Sequence, residues 1–123
     1  MNSALVKAAL DQAMQIDGAI GVALVDTNSG MALGTAGGGS ALNMDVAAAG
    51  GTEVVKSKLK VMTQLGIRDR IEDILITLGK AYHLINLPKG HPGLFIYLVL
   101  DKGRANLAMA RHKLASLSTQ IEI

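Results

Sequence analysis

The sequence predicts one α/β (α+β) domain of three helices and five strands with a mostly antiparallel sheet. Three observations lead there. The chain's 123 residues suit a single hydrophobic core and leave no room for a second domain. Apolar runs of strand length alternate with stretches of helical periodicity, in the order helix, two strands, helix, three strands, helix. Consecutive strands are joined by turns of hairpin length, which connect antiparallel neighbours and not parallel ones.

Ser3 is placed to cap a first helix in which Val6, Ala9, Leu10 and Ala13 share one face, with Lys7, Asp11, Gln12 and Gln15 opposite. Asp17 and Gly18 stop it. Residues 19–26 (AIGVALVD) read as a strand, Thr27-Asn28-Ser29-Gly30 as a turn, and residues 31–35 as the second arm of a hairpin. Residues 36–40 (AGGGS) read as a loop, and residues 43–65 as the longest helix, ended by Gly66.

The first half of that helix is nearly all small residues, and each interior glycine costs about 1 kcal/mol relative to alanine. Close approach of another element is the physical reason to accept that cost. In its second half Val55, Leu59 and Met62 form one apolar row and Val54, Val61 and Leu65 another, so burial on two sides is expected, with Lys56 and Lys60 flanking a solvated stripe. After a linker, residues 71–78 (IEDILITL), 81–87 (AYHLINL) and 94–100 (LFIYLVL) read as strands, with turns at Gly79-Lys80 and at residues 88–93. A last helix over residues 103–117 places Leu107, Ala110, Leu114 and Leu117 at helical spacing, and residues 118–123 are expected to fray.

Half of the residues are apolar, 18% are charged and mean hydropathy is +0.34, so a lone copy of this size leaves apolar surface in water and self-association is expected. No apolar run approaches the length of a membrane span, and the N-terminus lacks the pattern of a secretory signal. The chain has no cysteine, which excludes disulfides and thiolate chemistry and fits a cytoplasmic protein. A formal charge of +2 with two Tyr, one Phe and no Trp gives little for stacking bases, so nucleic acid is not an expected partner.

Candidate motifs fall to plainer readings. Gly34 and Gly39 in residues 34–40 (GTAGGGS) have the spacing of a phosphate-binding loop, but Ser40 stands where that motif needs lysine and Ala41 where it needs a hydroxyl. His83, His91 and His112 fall in a strand, a loop and a helix without metal-ligand spacing. Glu72 and Asp73 are adjacent on a strand, point to opposite faces and read as charges guarding a sheet edge. Nothing resembles a nucleophile elbow. No catalytic residue, cofactor or metal is expected, and the protein is read as one that acts by contact. Lys56, Lys58, Lys60, Arg68 and Arg70 gather near the end of the long helix, where they complement its dipole or face an acidic partner.

The first hairpin (residues 18–31) and the last strand and helix, notably Leu98-Val99-Leu100-Asp101 and residues 105–111 (ANLAMAR), make the chain resemble the Roadblock, or dynein light chain, family, especially its short stand-alone bacterial members. Residues 71–78 followed by Tyr82, His83 and Leu84 resemble the family's middle strand pair. The resemblance runs over residues 5–117. It implies a profilin-like or longin-like sandwich that dimerises by joining middle-strand edges and packing the long helices together.

By that implication the dimer interface takes Val54, Val55, Leu59 and Met62 from the helix and Ile71, Asp73, Leu75 and Thr77 from the strand. The implied function is that of a homodimeric scaffold or regulator of a small Ras-like GTPase in cell polarity, motility or signalling. Its partner surface would lie around Lys56, Lys60, Arg68 and Arg70. Two other readings stand beside it: a self-associating structural or assembly module without a GTPase, and a small-molecule or nucleotide sensor using residues 34–40.

Overall fold

The computed structural model describes residues 3–121. Helix α1 (Ser3–Ala13) buries the expected Val6, Ala9, Leu10 and Ala13. Ser3 lies within the helix, so any capping residue falls outside the described part. Gly18, at φ +86°, turns the chain into β1 (Ala19–Asp26). The turn to β2 (Ala32–Gly37) is held by the Asp26 carboxylate, which accepts from the Asn28 N–H at 3.1 Å and the Ser29 hydroxyl at 3.1 Å.

Helix α2 (Met44–Gln64) has caps at both ends. Asn43 Oδ1 accepts from the N–H groups of Asp45 and Val46 at 2.9 and 3.2 Å. At the other end Gly66, at φ +70°, donates to Thr63 O while the Ile67 N–H donates to Met62 O, a Schellman closure. Strands β3 (Asp73–Thr77), β4 (Ala81–Asn86) and β5 (Leu94–Asp101) follow, then α3 (Leu107–Ser118), capped by Asn106.

The five strands form one antiparallel sheet in the order β2-β1-β5-β4-β3. The last strand in sequence lies at its centre. Alternation divides the sheet residues between two cores. Val22, Leu24, Leu84, Ile96, Leu98 and Leu100 meet α1 and α3 on one face. Ala23, Val25, Ile85, Phe95, Tyr97 and Val99 lie on the face of α2.

Several boundaries differ from those the sequence suggests. Strand β2 runs on through Ala36 and Gly37, because main-chain pairing with Val22 and Gly21 does not require side chains that favour strands. Strand β3 begins at Asp73, so Ile71 and Glu72 precede it. Helix α3 starts at Leu107, since Asp101 ties residues 103 and 104 into a turn through the Gly103 N–H and the Arg104 guanidinium. The fraying expected over residues 118–123 does not occur over residues 118–121, and residues 122 and 123 lie outside the described part. Ser118 closes the helix, and buried Ile121 accepts a 2.9 Å hydrogen bond on its carbonyl from His91 Nε2.

Candidate interaction site

The two glycines in α2 have different surroundings. A Cβ on Gly51 would stand 2.7 and 2.8 Å from the Tyr97 ring, so glycine lets the helix settle onto β5. A Cβ on Gly50 would meet nothing within 4 Å. Close approach within the chain therefore accounts for Gly51 and not for Gly50.

Around α2, Met44, Ala48, Gly51, Thr52, Val55 and Met62 are buried against the sheet. Val46, Gly50, Val54, Ser57, Val61 and Leu65 recur at intervals of three or four residues along one flank, and all are exposed. An open groove of roughly 560 Å³ runs along that flank between Glu53, Val54, Ser57, Lys58 and Val61. Lys56 and Lys60 are exposed on the other side of the helix.

The implied interface set therefore divides. Val55 is 1% exposed and Met62 8%, both buried within the chain, so Val55 has almost no surface and Met62 little to give the interface expected of them. Val54 and Leu59 are exposed, at 37% and 41%. The sequence shows two apolar rows but not which of them the sheet claims; burial assigns it Val55 and Met62.

Strand β3 forms an edge of the sheet, paired only with β4. Main-chain bonds from Leu78 N–H to Ala81 O and from Leu87 N–H to Glu72 O fix the alternation. The backbones of Ile74 and Ile76 face β4, and those of Asp73, Leu75 and Thr77 face outward. Leu75 is half-buried against the core of α1 and α3, whereas Thr77 is exposed and Ile71 half-buried ahead of the strand. Asp73 is not a free guarding charge. Its two oxygens accept from Arg111 Nε and Nη2 of α3, each at 2.8 Å.

Helix α2 packs on β1 and β2 and less on β5, so it sits off the centre of its face. Ile74, Ile76 and His83, toward the β3 edge, are only half-buried. There His83 Nδ1 and the Tyr97 hydroxyl share a 2.6 Å hydrogen bond, and burial pulls the His83 pKa down and pushes Tyr97 up. Arg68 is exposed in the segment after α2, while the Arg70 guanidinium donates to Leu87 O at 3.2 Å and is less available to a partner.

The glycine loop is built for a turn. Gly37, Gly38 and Gly39 all have positive φ, the Gly38 N–H donates to Ile20 O and the Gly39 N–H to Gly37 O. Asn43 takes N–H groups at the start of α2, and Asp45 adds negative charge in its first turn. These features oppose anion binding there. Among the described residues no group of three or more His, Asp or Glu side chains is placed to hold a metal ion, and no helix is long and apolar enough to cross a membrane.

No family model matches the sequence, and no curated protein matches it. Solved structures do. MglB of Myxococcus xanthus superposes with a TM-score of 0.84 at 16% identity, covering 98% of this chain and 94% of its own. A Roadblock/LC7 domain from Streptomyces avermitilis gives 0.77 at 12% identity, covering 90% and 89%. A gliding protein, MglB of Thermus thermophilus, gives 0.72 at 16% identity, covering 98% and 95%. The likeness is one of fold: the chain has a Roadblock-like fold, in the longin-like arrangement that the resemblance implied.

Proposed function

We propose that this Roadblock-like domain is a cytoplasmic homodimeric platform that holds a small Ras-like GTPase by contact and carries out no chemistry of its own. One observation carries the reading: the open β3 edge and the exposed apolar flank of α2 occur together in a fold shared with two MglB proteins. Pairing β3 with β3 of a second copy would satisfy the outward backbones of Asp73, Leu75 and Thr77. Packing α2 against its copy would cover Val54, Val61 and Leu65 and give Gly50 the close neighbour it lacks within one chain. Lys56 and Lys60 remain outside such a contact and supply a basic surface for the GTPase.

The scarcity of aromatic anchors, three in the whole sequence, favours a second reading: an assembly module that binds only itself. Two measurements separate the readings. Light scattering on wild type and on the Val54→Lys/Val61→Lys variant tests the dimer, because both side chains are exposed and the change leaves the protomer core intact. A dimer that becomes a folded monomer is the expected result, and a monomeric wild type would overturn the platform. Titration with Ras-like GTPases from the same genome, in GDP and GTP states, tests the partner. Binding weakened by Lys56→Glu/Lys60→Glu is expected, and no binding in either state would leave the assembly module.

A further inference from the structure

We propose that the trough between α2 and the β3 edge makes the pairing of two copies depend on a proton: with His83 neutral the copies join, and with His83 protonated they part. The inference rests on the dimer proposed above and adds a control to it. Ile74, Ile76 and His83 stand on the α2 face of the sheet. Ile74 packs against that core, Ile76 pairs directly with His83, and all three are only half-buried. Helix α2 packs chiefly on β1 and β2, which leaves the β3 side of its face thinly covered.

The helix turns its exposed apolar flank toward that trough. On one side of α2, Thr52 lies within contact distance of a Cβ at Gly30 in the β1–β2 turn. Val54 and Val61 are about half a turn around the helix from Thr52, on the side of β4 and β3, and both are exposed. Pairing β3 with its copy brings the two troughs side by side beneath the two α2 helices. The second copy then closes His83 off from water on the side where a single chain leaves it open.

A charged imidazole costs little while water reaches the ring and much once an apolar flank covers it. The surroundings offer no net counter-charge. The 2.6 Å partner of His83 Nδ1 is the hydroxyl of buried Tyr97 on β5, a phenol that burial keeps neutral, and Val99 pairs beside it. Strand β3 presents Ile74 and Ile76 on this face, with Glu72 ahead of it and Lys80 in the turn after it. Helix α2 brings Glu53 and Lys58, which line its groove. Each pair holds one charge of each sign, and a second copy adds the same balanced set. Burial alone already lowers the His83 pKa in one chain, and a covering copy adds to that burial. The value is therefore lower in the pair than in the single chain. Pairing is at full strength above the single-chain value and weakens as pH falls below it.

The test is the dimer's Kd by sedimentation between about pH 7.5 and 5.5, with circular dichroism confirming a folded chain at each pH. Two imidazoles act per pair, so a tenfold strengthening of each as an acid allows a rise in Kd of up to about a hundredfold, of which roughly tenfold is reached by about pH 5.5. His83→Gln, which stays neutral and can still bond the Tyr97 hydroxyl, should make Kd nearly independent of pH over that range. His83→Phe, which also cannot titrate and keeps the trough apolar, should do the same if the glutamine variant folds poorly. His112→Gln, on the exposed side of α3, should keep the wild-type dependence. A wild type that is monomeric at about pH 7.5 would overturn the dimer and this control with it. A dimer with the same Kd at both ends of the range, or one whose pH dependence survives in both His83 variants, would overturn the control and leave the dimer standing.

Discussion

Gly50 and Gly51 are neighbours in α2, yet alanine at each should shift stability in opposite directions. Alanine in a helix interior gains about 1 kcal/mol over glycine when its methyl is unobstructed. At position 50 it is unobstructed within the chain, so Gly50→Ala should stabilise the protomer by about that amount, raising Tm by roughly 4 °C in a domain of this size. At position 51 the methyl would press on two carbons of the Tyr97 ring and stand 3.3 Å from Phe95. Both rings belong to the buried α2 face, and neither is a flexible chain end that can swing aside. Overpacking a core costs about 1 to 3 kcal/mol, and two ring contacts under 3 Å place this methyl at about 2 to 3, so against the helix gain Gly51→Ala should lose about 1 to 2 kcal/mol net. Urea unfolding of wild type and both variants in the Val54→Lys/Val61→Lys background, at one fixed concentration, measures the protomer without the proposed dimer. A Gly51→Ala variant as stable as its parent would refute the packing account. The same pair made in otherwise wild-type protein has a further expected outcome: if α2 helices touch at Gly50, Gly50→Ala weakens the dimer in light scattering although it strengthens the protomer.

Other outcomes follow from side chains already placed. Val55→Ala should cost about 2 kcal/mol in urea unfolding, because Val55 is fully buried, and should leave the solution mass unchanged where Val54→Lys/Val61→Lys lowers it. The folded His83 pKa lies below its ordinary 6.5, so the folded state binds its proton less readily than the unfolded one. Stability should therefore fall as pH drops through 6.5 toward the lowered value, and His83→Gln should remove that part of the dependence in urea midpoints. The Asp101 carboxyl is held below its usual 3.8, first by the hydrogen bond from Arg104 and then by the Gly103 N–H. Its contribution is present above 3.8 and lost as pH falls through the lowered value; an NMR titration should show a midpoint that rises in Arg104→Ala. Removing the Asp73–Arg111 pair with Arg111→Ala should cost no more than about 1 kcal/mol in urea unfolding, since Arg111 is half exposed, and a much larger loss would mean the pair anchors α3.

The sequence was most legible where local chemistry and pattern agree. Residues 19–26 form a strand because a continuous apolar run ends in an Asp-x-x-Ser turn, and α2 begins at an asparagine cap and ends at a left-handed glycine. It was least legible where distant contacts decide. Ile121 is fixed by His91, thirty positions earlier, which no window around the tail can show. Asp73 looks like a free edge charge until α3 brings Arg111 beside it. The candidate surface was half legible: periodicity gives two apolar rows on α2, but only the off-centre seat of the helix decides that Val55 and Met62 belong to the core and Val54 and Val61 to the outside. Gly37 carries no mark of a strand residue, and its pairing with Gly21 belongs to the backbone alone.

The central place of β5 has a consequence for how the chain comes to be folded. During synthesis the β1–β2 hairpin and the β3–β4 hairpin are complete while residues 94–101 are still to be made, and β5 is the strand that joins one hairpin to the other. Until it arrives, Val22 to Val25 and Leu84 to Ile85 have no strand between them and α2 has no Tyr97 to rest on. The nascent protein is therefore expected to pass through a stage in which the two hairpins lack the strand that joins them and α2 lacks the part of its seat that β5 supplies, the stage at which unpaired edges are most prone to aggregate. A chain interrupted before residue 94 is expected to lack a sheet that can close, whatever its local propensities.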